Sequence, residues 1–153
     1  MRAKEFFLRV SRAEKELKLI RAQIRHYEDI GYNISPRHSE APGSGSKSRN
    51  VSKVEIAALG ILEGVCELRE QEKEYVRIIE QAKKVIEAIS QEKYRQLLTL
   101  HYLCGWSFRS VSDELDYHDP NSVYRAHGWA LVEAQKILNK EGKNVLQEKG
   151  QDH

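Results

Sequence analysis

The stretch that decides the fold runs from Ser107 to Leu138 and reads SFRSVSDELDYHDPNSVYRAHGWALVEAQKIL. Two helix starts lie inside it. Ser107 is a preferred N-cap residue, and apolar side chains follow it at helical spacing. Asp119 is a second N-cap candidate, and Pro120 then falls at the first helical position, where the missing N–H of proline costs nothing. The pattern therefore predicts two successive helices.

The connection between these two helices is predicted to be only about three residues long, from Asp116 to His118. A short helix and a long helix across so tight a turn are typical of the helix-turn-helix motif. The same pattern also fits an ordinary helical hairpin in a bundle. In the helix-turn-helix interpretation, the residues expected to be buried where the two helices cross are Val111, Leu115, Val123 and Leu131.

The first 30 residues predict one long helix. Apolar side chains alternate spacings of four and three along it, as in a coiled coil. This first seam consists of Phe6, Val10, Ala13, Leu17, Ile20, Ile24 and Tyr27. Gly31 is expected to end the helix. The segment carries eight basic and five acidic side chains, so it is net positive.

Residues 52–89 predict a second long helix with a seam of the same kind. The second seam consists of Val54, Ala58, Ile61, Val65, Leu68, Glu72, Tyr75, Ile79, Ala82, Ile86 and Ile89. Glu72 is its polar member, and a polar residue in a seam often fixes the register of the pairing. Residues 54–90 carry eight acidic and five basic side chains. Opposite net charge favours pairing of the two seamed helices with each other, in one chain or across a dimer.

Residues 31–51 are rich in Ser, Gly and Pro and predict a flexible linker, because they bury too little apolar surface to offset the entropy of ordering. A further helix is expected over 91–103, with Gly105 closing it. The polar residues 141–153 are expected to fray. The sequence thus predicts an all-α chain with a long N-terminal helical hairpin or coiled coil and a C-terminal three-helix helix-turn-helix unit. The predicted segments are a coiled-coil-like helix (1–30), a linker (31–51), a long helix (52–90), the helix-turn-helix domain (91–140) and a tail (141–153).

Several other classes of protein find no support in the sequence. No apolar run approaches the roughly 18 residues of a membrane span, so no membrane association is expected, and the apolar core of the N-terminus is too short for a signal peptide. Cys66 and Cys104 each lie singly in apolar patterns and are expected to be small buried side chains. The histidines show no metal-ligand spacing, and we find neither a glycine-rich phosphate loop nor a catalytic acid–base pair. We therefore expect no enzyme activity, no metal and no cofactor; His127 is expected on the helix surface or in a packing contact.

The run YRQLLTLHYLCGWSFRSVSDEL (residues 94–115), followed by SVYRAHGWAL (residues 122–131), resembles region four of bacterial sigma factors, the domain that reads the promoter −35 element. Over about residues 50–138 the chain is similar to small phage regulators of Gram-positive bacteria, of the late-operon type. Those regulators have a helical N-terminal half, a Ser-rich middle and an ending Tyr-Arg-x-His-Gly-x-Ala-Leu. Tyr124 to Leu131 match that ending.

The resemblance implies a sequence-specific regulator of phage or prophage transcription that binds double-stranded DNA, with RNA polymerase as a further partner. The helix that starts near Asp119 would enter the major groove. Asn121 and Arg125 fall at base-contacting positions, where arginine pairs with guanine and asparagine with adenine. The full set of candidate DNA-binding residues is Arg109, Asn121, Ser122, Tyr124 and Arg125. The expected location is the cytoplasm, that of the host cell if the protein is phage-encoded.

Charge and exposed apolar residues bear on partners. Residues 91–140 carry six bases and six acids, so this segment alone offers few phosphate contacts. Either a second copy or the basic N-terminal third adds charge, or this chain alone does not bind DNA tightly. Apolar residues off the two seams predict an interface, most simply a homodimer; they are Phe7, Leu19, Ile30, Ile56, Leu59, Leu62 and Ile78. Two alternatives remain: a structural or packaging protein, such as a small terminase-like DNA-recognition subunit, and an adaptor that binds proteins but not DNA.

Overall fold

The computed structural model describes residues 1–34 and 47–149. Over these residues the chain is all α, as predicted from the sequence. Its helices are α1 (Ala3–Ile34), α2 (Lys47–Glu87), α3 (Glu92–Leu98), α4 (Phe108–Glu114) and α5 (Pro120–Lys149). A single π-helical turn, Thr99–Leu103, directly continues α3. No helix in the described ranges is long and apolar enough to cross a membrane.

Three helix ends differ from the sequence-based prediction. α1 continues through Gly31 to Ile34, and α2 already begins at Lys47, so both helices extend into the predicted linker. The remainder of that linker, residues 35–46, lies outside the described residues. α5 extends to Lys149 where a fraying tail was expected. Lys, Glu, Gln and Leu, all good helix formers, offset Gly142 and Asn144 in residues 141–149, and no proline interrupts them.

The described residues form two compact units. The core unit consists of residues 1–15 and 76–149, and the hairpin unit consists of residues 16–75. These bounds differ from the sequence-based division, which separated residues 91–140 from both long helices. The first turns of α1 and the last turns of α2 belong to the same unit as α3, α4 and α5, because the apolar faces of the short helices need these turns to be covered.

The interior of the core unit is apolar. Phe7 is fully buried, and its ring stacks on the ring of Tyr102 with the centroids 5.1 Å apart. Val111 and Val123 are fully buried between α4 and α5, as expected. The other buried members of this core are Ala3, Phe6, Val10, Ala82, Val85, Ile86, Ile89, Leu97, Leu98, Ala126, Ala130 and Ala134.

Two expectations about burial in the core unit are corrected. Leu115 and Leu131 are only half-buried against the core, because Leu115 lies at the end of α4, where coverage thins, and Leu131 lies at the border of the exposed side of α5. Phe7 and Ile78 were expected on an exposed face, but Phe7 is fully buried and Ile78 packs against the core. Helices on several sides cover more than the seam of each long helix.

The hairpin unit is an antiparallel pair of helices. Arg21 on α1 lies 3.2 Å from Glu72 on α2, and Glu28 on α1 lies 3.1 Å from Arg69 on α2. Residue numbers therefore rise along α1 as they fall along α2, so the two helices run in opposite directions. The seam residues of α1 in this unit are well covered: Leu17, Ile20 and Ile24 are buried. The opposite charges predicted for the two long helices thus form ion pairs between α1 and α2 of one chain.

The seam of α2 is less covered than expected in the hairpin unit. Val54 and Ala58 are exposed: Gly31 lies beside Ile61, so the antiparallel pairing places Ala58 at the end of α1 and Val54 beyond it. Four apolar side chains off the seams are also exposed, as the sequence predicted; they are Leu19, Ile56, Leu59 and Leu62. A single partner helix covers only the seam of each long helix, so apolar side chains off the seams stay exposed.

Candidate nucleic-acid interface

The first helix of the candidate motif, α4, begins and ends as its local sequence requires. The Ser107 hydroxyl accepts a hydrogen bond from the backbone N–H of Ser110 at 3.2 Å, which is an N-cap. At the other end, Asp116 adopts a left-handed conformation with φ 56°, which aspartate tolerates better than most residues. The backbone N–H of Tyr117 then donates to the Ser112 carbonyl at 3.0 Å. These contacts reverse the chain between the two helices.

The second helix, α5, starts where the sequence predicted. The Asp119 carboxylate accepts from the backbone N–H of Asn121 at 3.1 Å, and Pro120 occupies the first helical position. The backbone N–H of Ser122 donates to the Asp119 carbonyl at 2.9 Å. The connection between α4 and α5 spans 115–119 and is two residues longer than expected, because α4 ends at Glu114 and the left-handed residue comes before the cap.

The candidate DNA-binding residues lie on the surface around this turn. Asn121, Tyr124 and Arg125 are exposed on α5, Ser122 is half-buried beside them, and Arg109 is exposed on α4. Positions three and four apart share one face of a helix, so Asn121, Tyr124 and Arg125 point to the same side. Arg109 and Tyr124 also line one groove between α4 and α5. The structure thus places Arg109 and Tyr124 beside the same groove.

A cluster of aromatic rings joins α5 to the π-helical turn and to the start of α4; we call it the aromatic cluster, and it comprises His101, Tyr102, Phe108, Tyr124 and His127. The Phe108 ring stacks on His101 with the centroids 3.9 Å apart and lies 4.9 Å from both Tyr124 and His127. His101 donates from Nδ1 to the Trp106 carbonyl at 2.7 Å. These contacts tie the π-helical turn to the start of α4 and to the exposed ring of Tyr124.

A hydrogen bond of 2.7 Å between the Tyr102 hydroxyl and His127 Nε2 completes the aromatic cluster. Burial raises the pKa of Tyr102 to about 12, so its hydroxyl keeps its proton and donates. Burial, with smaller contributions from His101 and Lys4, lowers the pKa of His127 to about 4, so the ring is neutral and accepts. His127 therefore supports a packing contact, one of the two placements expected for it. The pair joins the π-helical turn to α5.

Sequence reasoning missed part of the exposed face of α5. Trp129 is 60% exposed and Val132 is 54% exposed, comparable with Tyr124 at 56%. Gly128 lies on this face between Tyr124 and Trp129, and a Cβ built on Gly128 meets nothing within 4 Å. The signal was present, since counting in steps of three and four from Asn121 reaches each of these positions.

The charge near the site differs from that of residues 91–140 alone. Residues 1–15 belong to the core unit and carry five basic and two acidic side chains. The charge of Lys4 contributes to the lowered pKa of His127, so this basic segment acts electrostatically on α5. Acidic groups also lie close, since Asp113 lines the groove that Arg109 and Tyr124 share. The core unit as a whole is net positive, which is the sign that a phosphate backbone requires.

Two further expectations concern cysteines and metals. Cys66 and Cys104 are both free and exposed, so the prediction that they are buried is wrong. Cys66 lies on the side of α2 turned away from α1, and Cys104 follows the last π-helical residue, where the chain turns at the surface. In the part of the chain that the structure describes, no three His, Cys, Asp or Glu side chains are placed to hold a metal ion.

Comparison with known proteins adds no family assignment. No protein-family model matches the chain, no curated protein matches it, and no solved structure matches it. Function is therefore argued from the site itself, because an all-α fold hosts many unrelated activities. The site consists of a capped helix with hydrogen-bonding side chains on its outer face, packed against the aromatic cluster.

Proposed function

We propose that the protein is a sequence-specific DNA-binding regulator of phage or prophage transcription, and that it reads the major groove with the first turns of α5. The observation that carries the proposal is the joint exposure of Asn121, Tyr124 and Arg125 on one face at the capped start of α5. A short helix across a tight turn accompanies α5, as in helix-turn-helix proteins. The likeness of Tyr124–Leu131 to phage regulators supports the phage context.

Each exposed side chain suits one part of a duplex. The Arg125 guanidinium has two parallel N–H donors for the O6 and N7 atoms of guanine, and the Asn121 amide pairs with adenine. Tyr124 and Arg109, beside the groove between α4 and α5, are placed for sugar–phosphate contacts that set orientation. The aromatic cluster holds α5 in one orientation, which lowers the ordering cost on binding.

The decisive test is selection of bound fragments from the source genome, followed by footprinting and by titration at several salt concentrations. On the selected site, Arg125→Ala should weaken binding by about 1–3 kcal/mol and relax the preference at one base pair. Arg25→Ala is a matched control, because Arg25 is an exposed arginine of the hairpin unit. If folded Arg125→Ala keeps both the affinity and the base preference, Arg125 does not read the DNA.

A second variant tests which side of the motif faces the duplex. Asp113 lines the groove with Arg109, and its carboxylate repels phosphates there. Asp113→Asn should therefore tighten binding by about 0.5–1 kcal/mol, and the gain should shrink at high salt. Asp29→Asn makes the same substitution at an exposed position of the hairpin unit, on α1, and should change little. Unchanged binding by Asp113→Asn would place the groove away from the DNA.

We also propose that the protein acts as a homodimer joined through the hairpin unit. The unit exposes six large apolar side chains, and a second copy is the commonest cover for such a surface; they are Leu19, Tyr32, Val54, Ile56, Leu59 and Leu62. A dimer doubles the phosphate contacts available to the core unit. Sedimentation equilibrium at micromolar concentration should give twice the 17.7 kDa of one chain, and Leu59→Arg should shift the mass towards the monomer. A constant monomer mass contradicts the dimer; a dimer that binds no DNA favours the adaptor role.

A further inference from the structure

The exposed face of α5 continues beyond the residues proposed to read bases. A helix rises about 1.5 Å per residue, so Trp129 lies roughly 12 Å along α5 from Asn121, and Val132 lies roughly 16 Å along it. The major groove is about 12 Å wide. When Asn121 meets a base edge, Trp129 therefore lies at the wall of the groove, beside the sugar–phosphate backbone.

Gly128 has no explanation within the described protein. It lies in the interior of a long helix, where glycine is less favourable than alanine. A Cβ at this position meets nothing within 4 Å, so no neighbouring helix requires the missing side chain. The bare backbone of Gly128 instead opens a notch on the outer face of α5, between the exposed rings of Tyr124 and Trp129.

We propose that Gly128 and Trp129 form a contact site for the DNA sugar–phosphate backbone. The strand approaches the helix closely at Gly128, where a Cβ would obstruct it. The Trp129 ring packs on a deoxyribose, and its indole N–H donates to a phosphate oxygen. The site extends the proposed reading face along the same side of α5, so this inference rests on the proposed function.

Charge and area favour DNA over a protein as the occupant of this site. No acidic residue occurs in α5 before Glu133, and the Glu133 carboxylate is paired with Lys136 at 3.0 Å. The face therefore presents no unpaired carboxylate to a phosphate. The exposed large apolar side chains on this face are three, Tyr124, Trp129 and Val132, whereas a stable protein interface buries roughly 800 Å² on each partner. A strand of DNA needs far less apolar surface than that.

The test compares Gly128→Ala with Gly142→Ala. Both glycines are exposed on α5, and a Cβ at either meets nothing within 4 Å. Each substitution should raise the melting temperature by roughly 2–4 °C, because alanine is the better helix former. Only Gly128→Ala should weaken DNA binding, by about 5- to 10-fold, and equally for the selected site and for a random-sequence 30-base-pair duplex at low salt, because backbone contacts carry no base information. Trp129→Phe, which keeps an aromatic ring but removes the N–H donor, should also weaken binding to both duplexes equally.

The outcomes separate this inference from the proposed function. Wild-type protein that binds neither duplex overturns both together. Wild-type binding that Gly128→Ala leaves unchanged overturns the backbone site alone, as does an equal loss in the Gly142→Ala variant. A loss confined to the selected site shows a base contact and overturns the inference too. A change in sedimentation mass without DNA, in Gly128→Ala or Trp129→Phe, assigns the face to a protein interface and has the same effect.

Discussion

The core unit and the hairpin unit are built on the same two long helices, but they use them differently. In the core unit, Phe7 lies off the seam of α1 and is nevertheless fully buried. In the hairpin unit, Leu59 lies off the seam of α2 and is exposed. A heptad seam specifies that one partner helix will be present. The rest of the chain decides how many further helices cover the remaining faces. Here α3, α4 and α5 cover the long helices in the core unit but not in the hairpin unit.

The difference matches the functions proposed for the two units. The core unit holds α5 with buried apolar side chains and the aromatic cluster, which a rigid reading helix requires. The hairpin unit is held by one buried stripe and by exposed ion pairs, and it leaves apolar side chains in water. In the function proposed above, the first unit contacts DNA and the second associates with a second copy.

The largest expected effect comes from truncating an apolar side chain in each unit. Phe7→Ala should lower the free energy of unfolding by about 3–5 kcal/mol, because it opens a cavity against Tyr102. Leu59→Ala should change it by no more than about 0.5 kcal/mol, because the side chain is already in water. Urea unfolding at a concentration too low for self-association measures both. Similar losses in the two variants would mean that the two units do not differ in cover.

Local chemistry explains which parts of the fold the sequence predicts. The caps at Ser107 and Asp119 and the glycine at Gly105 act within a few residues, and the structure has each of them in its expected role: Gly105 adopts φ 75° two residues after the π-helical turn ends at Leu103. The burial of Phe7 and the half-exposure of Leu115 depend on helices far away in sequence. No local pattern reports how much of a helix face those distant segments cover.

The candidate site divides in the same way. The exposure of Asn121 and Arg125 follows from helical periodicity once the cap at Asp119 is known, and the same counting reaches Gly128 and Trp129. The bond between Tyr102 and His127 does not follow from periodicity. It depends on the π-helical turn, which adds a residue to one turn and so rotates the side chains after it, and no residue type in 99–103 signals that turn.

The second largest expected effect is the dependence of the free energy of unfolding on pH, through His127 of the core unit. His127 has a pKa of about 4 in the folded protein, below its ordinary value of 6.5. Between these values the unfolded chain binds a proton that the folded chain does not, so stability falls as pH drops from about 6.5 towards 4. We expect His127 to account for a loss of roughly 1 kcal/mol, less than the full shift implies because the ring is only half-buried.

Urea unfolding of wild-type protein and His127→Gln between pH 7.5 and 4.5 isolates this loss. Glutamine keeps an acceptor for the Tyr102 hydroxyl but does not titrate, so the two stability curves should converge as pH falls. Carboxylates, whose ordinary pKa values lie near or below the lower limit, contribute little over most of this range. Curves that stay parallel over the whole range would show that His127 titrates in the folded protein as it does in the unfolded chain.

The smallest expected effect is the coupling between Arg21 and Glu72 in the hairpin unit. Their charged atoms lie 3.2 Å apart, and Glu72 also accepts from Arg69 at 3.1 Å. Partial burial acts to raise the pKa of Glu72, but the hydrogen bonds from the two arginines outweigh it and lower the pKa. Exposed ion pairs are nevertheless weak, because water and salt screen them and ordering two long side chains costs entropy. A double-mutant cycle with Arg21→Ala and Glu72→Ala should therefore give a coupling of about 0.2–1 kcal/mol that declines as salt is raised. Lys73 and Glu70 form an exposed pair within α2, at 2.8 Å, and provide the comparison. A coupling well above 1 kcal/mol that salt does not weaken would mean that the hairpin is held by its charges and not by the buried stripe of Leu17, Ile20 and Ile24.

If Glu72 fixes the register of α1 against α2, as a polar seam residue often does, Glu72→Leu should leave the free energy of unfolding equal or higher but broaden the unfolding transition. Removing either charge of the Lys73–Glu70 pair should not broaden that transition.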